Sequence, residues 1–173
     1  MTTLSKLSDF PALKGLVLLI GPPGAGKSTF AQKLIAQHII DTNSYISNDK
    51  IAKELFGLAV DRGGKDGEIF AEQDRRLASL LQINKVGVID ATNVKSEARQ
   101  RLIAIARQFD APVTAICFKR DEATLLKQNE GREAEVPEEV VREYALLMQH
   151  VSPDQLKSEG IEKIIDIPRD ILL

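Results

Sequence analysis

The chain has a single cysteine, no long apolar run and almost no net charge, and each shortage closes off a class of protein. One cysteine, Cys117, in 173 residues leaves no disulfide framework. It lies inside the apolar run Val113 to Phe118, which reads as a buried strand position and fits a reducing cytoplasm. No apolar run approaches the roughly 18 residues that a membrane span needs. The N-terminus lacks the basic, then apolar, then small-residue order of a secretory signal, so a cytoplasmic, membrane-free protein is expected. A formal net charge of −2 gives no general attraction to nucleic acid, and any polyanion binding would rest on a local basic patch. Internal repeats and low-complexity tracts are also missing. The remaining composition, 43% hydrophobic and 28% charged, is that of a soluble globular protein, and the length suits one α/β domain over residues 1–173.

Apolar runs and helical periodicities alternate along that length, which argues for a mainly parallel sheet with helices on both faces. Strands are expected at Gly15–Ile20, Ser44–Ser47, Val86–Asp90, Pro112–Phe118 and Lys163–Ile167. Helices are expected at Lys27–His38, Asp49–Gly57, Glu68–Asn84, Ser96–Phe109, Glu122–Gly131 and Pro137–Val151. In the fourth helix Ala98, Leu102, Ile105, Ala106 and Phe109 form the apolar stripe, which leaves Arg99, Arg101 and Arg107 pointing outward. The sixth opens on Pro137 with Glu138 and Glu139 in its first turn, and its stripe is Val140, Val141, Tyr144, Leu147, Met148 and Val151. Residues 1–12 read as a loose leader. Residues 59–67 and a segment at about 129–136 read as the mobile connections.

One motif carries more than the rest. GPPGAGKST, Gly21 to Thr29, fits the Walker A pattern G-x-x-x-x-G-K-[ST], and it follows an apolar strand and opens a helix. Backbone N–H groups of Pro23-Gly24-Ala25-Gly26-Lys27-Ser28-Thr29 (proline itself lending only shape) form a concave cradle for phosphate oxygens at a helix N-terminus. Lys27 reaches the β- and γ-phosphates, and the Ser28 hydroxyl ligates Mg²⁺. The chain is therefore expected to bind ATP with Mg²⁺.

Ligands of open α/β sheets sit at the carboxyl ends of the strands, so polar residues there complete the site. Asp49, after the second strand, is the carboxylate that would orient an acceptor hydroxyl and take its proton. It would also suit a helix N-cap, but Ser47 or Asn48 would serve equally well there. Asp90 ends the run VGVID, where a carboxylate serves Mg²⁺ or its water; a turn-forming aspartate is the plainer reading. Thr92 and Asn93 are suited to holding the acceptor, to orienting Asp49 or to satisfying local backbone. Arg132, between the last two long helices, is placed to fold over the triphosphate and neutralise developing charge, and Arg120 follows the fourth strand near the same rim. Either could equally be a solvated surface charge. His38 and His150 lie near helix ends and have no metal-ligand spacing.

With these residues placed, the chain resembles the polynucleotide 5′-hydroxyl kinase group of phosphate-loop phosphotransferases, which takes in zeta-toxin-like kinases and small AAA-type ATP-binding proteins. The resemblance runs from about Leu16 to Val151. It rests on GPPGAGKSTFA, on YISND at 45–49, on VIDATN at 88–93 and on QNEGREAEVPEEVV at 128–141. It implies a three-layer P-loop NTPase sandwich, a five-stranded parallel sheet of order 2-3-1-4-5 and a small lid. It also implies ATP·Mg²⁺ as donor, Asp49 as general base, Lys27 as phosphate stabiliser and Arg132 as a lid residue. Three positions depart from the group. Its Asp-x-x-Arg, whose arginine grips the acceptor's phosphate, is here Asp49-Lys50-Ile51-Ala52; Lys50, Lys53 or Arg120 would have to substitute. The lid's Arg-Asn is Gln128-Asn129, and a further lid arginine is Glu135. Such losses are not conservative, because a bidentate guanidinium contact has no equivalent in these side chains.

The function expected is ATP- and Mg²⁺-dependent transfer of a γ-phosphate to a hydroxyl acceptor, either a nucleic-acid 5′-hydroxyl or a small molecule. The competing readings are a non-kinase ATPase or nucleotide switch acting on a protein partner, and a domain that binds ATP without turnover.

Overall fold

Strand β2 (Leu16–Ile20) is buried along its whole length, and its alternation shows why. Leu16, Leu18 and Ile20 enter one apolar cluster, whereas Val17 and Leu19 enter another. A strand with both faces covered reads as a continuous apolar run and belongs to a parallel sheet flanked by helices. The computed structural model describes residues 2–4, 6–57 and 63–169 of the chain.

Around β2 the parallel strands are β3 (Tyr45–Ser47), β4 (Gly87–Asp90), β5 (Val113–Cys117) and β6 (Lys163–Asp166). They lie in the order β6-β5-β2-β4-β3. Counted from β2, that is the 2-3-1-4-5 order expected. Register places Leu19 beside Asp90 and Ile20 beside Cys117, and Ser47 beside Asp90. The carboxyl ends of the three inner strands therefore meet at one rim.

The helices are α1 (Lys27–Ala36), α2 (Asn48–Phe56), α3 (Asp66–Gln82), α4 (Ser96–Gln108), α5 (Glu122–Asn129), α6 (Glu138–Gln149) and α7 (Pro153–Ser158). Side chains of α2, α3 and α4, such as Ile51, Leu77 and Leu102, cover one face of the sheet. Those of α1 and α5, such as Phe30 and Leu125, cover the other, and α6 serves both, with Val141 in the second cluster and Met148 in the first. Burial of each such side chain is worth about 1.5–3 kcal/mol.

The structure departs from the sequence reading at the N-terminus. Residues 1–12 were expected to be a loose leader, yet β1 (Thr2–Thr3) pairs in parallel with Ile165 and Asp166 as a sixth strand. Leu4 is buried, Leu7, Phe10 and Leu13 pack on the same core, and the Phe10 ring lies 5.6 Å from that of Phe30. Apolar residues at every third position tie this segment down. Of the connection expected at 59–67, residues 59–62 lie outside the described residues, and Asp66 already opens α3.

Helix α4 brings the second correction. Leu102, Ile103 and Ala106 are buried as the stripe requires, but Arg99 is fully buried rather than outward. Its guanidinium forms an ion pair with Glu159, with Nε and Nη2 each 2.7 Å from a carboxylate oxygen. Nη1 donates to the carbonyls of Asn93 and Val94. Ser152 caps α7 by accepting from Gln155 N–H, and Glu159 stands at the C-terminal end of that helix. Cys117 is buried at the end of β5, as expected, and burial pushes its thiol up to about 12.

Candidate active site

The strand ends open into one cleft of about 1080 Å³. Its walls include Pro23, Gly24, Gly26, Lys27, Ser28 and Thr29 of the phosphate loop, Asp49 at the start of α2, Asp90, Thr92 and Asn93 after β4, and Arg132. Ala25 is the member of the expected set that does not line it; its side chain is buried beneath the loop.

The loop is shaped by two glycines in left-handed conformation, Gly24 at φ +84° and Gly26 at φ +91°. A Cβ on Gly24 would stand 2.5 Å from the carbonyl oxygen of Leu125, so only glycine lets the loop lie against α5. Lys27 is buried, and its ammonium donates to the carbonyls of Gly21 and Pro22, both at 2.9 Å. Burial lowers its pKa to about 8; the Asp90 and Asp49 charges pull it up, and the Arg132 charge pushes it down. Asp49, Asp90 and Arg132 thus all act on the Lys27 ammonium.

Asp90 accepts hydrogen bonds from the Ser28 hydroxyl at 2.6 Å and from the Tyr45 hydroxyl. Burial and the adjoining Asp90 charge push the Tyr45 hydroxyl well above its ordinary pKa, so it serves as a permanent donor. A carboxylate and a hydroxyl side by side at the mouth of the loop form the hard-oxygen set that suits Mg²⁺. Among the described residues no cluster of three or more His, Cys, Asp or Glu forms a separate metal site.

Ser47 caps α2 by accepting from Lys50 N–H, so capping does not account for Asp49 in the first turn. Asn93 sits on the cleft wall with φ +51°, but its amide donates to the Leu19 carbonyl at 2.8 Å and is buried. That bond ties this loop to β2, the local backbone role that the sequence also allowed for Asn93. Thr92 lines the cleft, and its carbonyl accepts from Gly21 N–H.

Residues of the segment expected to form a lid divide similarly. The Asn129 amide closes the loop by bonding both polar groups of the Val136 backbone. Gln128 lines the cleft. Glu135 accepts from the Gly131 N–H at 3.0 Å, so the reversed charge is held by the backbone of its own segment.

The substitutes considered for the missing acceptor arginine do not reach the cleft. Arg120 donates to the Ile167 carbonyl beside β6, Lys53 pairs with Glu133, and Lys50 lies over the Tyr45 ring. Ala52 is buried in the core. The cleft instead acquires residues that the sequence reading missed: Asp66, Phe70, Gln73, Lys95 and Arg101 among them. Most belong to helix interiors or flanks, where the strand-end rule does not look.

A family model described as an AAA domain matches residues 16–151. The chain is 32% identical over 131 residues to an L-seryl-tRNA(Sec) kinase of Methanococcus maripaludis, a match that takes in 73% of this chain and 49% of the kinase. It therefore spans about half the length of that curated relative. Among solved structures it is similar to a chain of the Pnkp1/Rnl/Hen1 RNA repair complex, with a TM-score of 0.66 and 21% identity over 82% of this chain and 46% of that one. It is also similar to Chaetomium thermophilum Kti12 in complex with ADP-AlF3, with a TM-score of 0.66 and 16% identity over 90% of each chain. These two likenesses establish the fold. No helix among the described residues is long and apolar enough to cross a membrane.

Proposed function

The chain belongs to the AAA-domain family of phosphate-loop kinases, and from that premise we propose that it is an ATP- and Mg²⁺-dependent kinase that phosphorylates a hydroxyl group with Asp49 as general base. The observation that carries this reading is that Asp49 shares one cleft with Lys27, Ser28 and Asp90. Transfer to an alcohol needs a carboxylate on the acceptor side of the cradle; the same carboxylate acting on water would give hydrolysis, and acceptor dependence separates the two.

Bound ATP supplies the phosphoryl group, and its Mg²⁺ draws charge from the phosphate oxygens. The protein's own residues do the rest. Gly24 to Thr29 hold the triphosphate by backbone N–H groups, with Pro23 shaping the turn and the Lys27 ammonium beside it. Ser28 and Asp90 present oxygens to the cation, and Tyr45 fixes the Asp90 carboxylate in place. Asp49 orients the acceptor hydroxyl and receives its proton while the new O–P bond forms and the bond to ADP breaks. Arg132, within electrostatic reach of Lys27, stabilises the charge that develops between them. Thr92 faces the acceptor.

The kinase of Methanococcus maripaludis is named for a seryl-tRNA acceptor, so hydroxyls attached to nucleic acid belong in the first trial beside small molecules. The test is to incubate the protein with γ-labelled ATP and 5′-hydroxyl oligonucleotides, nucleosides or sugars. Label should pass to a hydroxyl compound. Lys27→Ala and Asp49→Ala should each lower transfer by at least ~10²-fold, and Asp49→Ala should still bind ATP, because the base touches the acceptor and not the cradle. Near-normal transfer by Asp49→Ala would remove it from the mechanism. Hydrolysis stimulated by a protein but by no hydroxyl compound would replace the kinase with a nucleotide switch.

A further inference from the structure

Part of the cleft wall carries side chains that the donor machinery leaves unused. Asp66, Phe70 and Gln73 recur at i, i+4 and i+7 of α3 and so share one helical face; Glu97, Ala98 and Arg101 come from α4, and all six line the cleft. Phe70 is 38% exposed there, which is a poor use of an aromatic ring for the core alone. The Arg101 guanidinium lies over that ring, 5.0 Å from its centroid. Its Nη2 donates to Gln73 Oε1 at 2.6 Å, and its Nη1 pairs with Asp74. Gln73, itself buried, donates to Asn48 Oδ1 at 2.5 Å, and Asn48 is the neighbour of Asp49. Two hydrogen bonds therefore connect the guanidinium to the residue beside the base.

A guanidinium has five N–H donors, and these contacts use two. Stacked on Phe70 and gripped by Gln73 and Asp74, the fork is preorganised, with its side chain about a third exposed. We propose that Arg101 is the acceptor-specificity residue: it takes a phosphate-ester oxyanion that the acceptor carries near its reactive hydroxyl. The inference rests on the kinase reading for the location of that hydroxyl. It assigns to α4 the contact that buried Ala52 is unable to make. Asp66 and Glu97 line the same wall and Asp74 faces Arg101, so no broad positive field exists here. Selection comes from directed donors, and it suits one phosphate group rather than a long polyanion. Lys95, whose ammonium lies 5.6 Å from the centroid of the Tyr144 ring, is the second cation on this side.

Binding tests the inference without requiring turnover. The protein is saturated with a non-hydrolysable ATP analogue and Mg²⁺, so that the phosphate loop is filled. Calorimetry then compares adenosine with adenosine 3′-monophosphate, and glycerol with glycerol 3-phosphate. At least one phosphorylated probe should bind about tenfold more tightly than its parent, or about 1.4 kcal/mol. Preference in the first pair points to a nucleic-acid end, and preference in the second to a phosphorylated small molecule. Arg101→Ala should erase the preference. Arg101→Lys, which keeps a cation beside Asp74, should lose most of it, because an ammonium lacks the fork. Equal binding within both pairs, no binding by any probe, or a preference that survives Arg101→Ala overturns the proposal. Failure of the kinase reading has a different signature, the absence of label transfer from ATP to any hydroxyl.

Discussion

The Lys27 ammonium is held in a conflict between burial, which lowers its pKa to about 8, and the Asp90 and Asp49 charges, which raise it. In the unfolded chain the same group titrates near 10.5. Between about 8 and 10.5 the unfolded state therefore binds the extra proton, and the nucleotide-free fold gains stability as pH rises through that window. ATP binding has the opposite sign. Phosphate oxygens beside the amine favour its charged form, so the free protein must take up a proton to bind above pH 8. The affinity for an ATP analogue should fall as pH rises above about 8, by at most about tenfold per pH unit for one proton. Titration calorimetry in buffers of different ionisation enthalpy would measure that uptake directly. A Lys27→Met variant should show neither the uptake nor the pH slope. Pairing explains why Tyr45 belongs to this constellation although sequence reasoning passed it over. Ser47 lies opposite Asp90 in register, and Tyr45, two residues earlier on the same face, is long enough to reach that carboxylate diagonally. Reading outward from strand ends leads to Asp49, Asp90 and Thr92; it gives no signal for a side chain that arrives from within the neighbouring strand.

Among the α-helices of the described residues, α7 is the shortest and one of the most consequential. It supplies Glu159, whose carboxylate is pushed up by burial but pulled further down by hydrogen bonds from Arg99 and Ser96, and so rests below the usual range. Arg99 in turn holds the Asn93 and Val94 carbonyls, which fixes the loop that presents Thr92. Glu159→Ala would leave a guanidinium uncompensated in the interior and should cost about 3–5 kcal/mol in urea unfolding. Pairing it with Arg99→Met should cost less than that single change, since removal of both charges avoids the orphan. Strands β2 to β6 were legible from their short apolar runs, and their ends fell within a residue of expectation; β1, two threonines, carries no such run. The long helices were legible from periodicity. Helix α7 was not, because six residues show no stripe, although Ser152-Pro153 is a fair start signal. With its partner unplaced, Arg99 could only be assigned to the solvent face. Phe70, Gln73 and Arg101 were hidden for a related reason: they project from helix interiors, and only the packing of α3 against α4 brings them to the cleft.

At the scale of the whole molecule, donor site and core are one structure. Ile20 pairs with Cys117 across the centre of the sheet, and the phosphate loop begins at the next residue. A Cβ on Gly21 would already touch the Phe118 side chain at 3.0 Å. Nucleotide held by that loop therefore stabilises the middle of the sheet, and Cys117 is a built-in reporter of the coupling. Its thiol is buried, with a pKa pushed up to about 12, so the native protein offers neither access nor thiolate to an alkylating reagent. If the sheet opens only as a unit, alkylation follows the population of the unfolded state. An ATP analogue with Mg²⁺ at about 100 times its Kd stabilises the native state by about 2.7 kcal/mol, and should slow alkylation by about two orders of magnitude. Lys27→Ala, which weakens nucleotide binding, should remove most of that protection at the same analogue concentration. Rapid labelling that ignores the nucleotide would instead mean that β5 and β6 part locally, and that the two halves of the sheet fold with separate cooperativity. Mass spectrometry of the Cys117 peptide over a time course distinguishes the two.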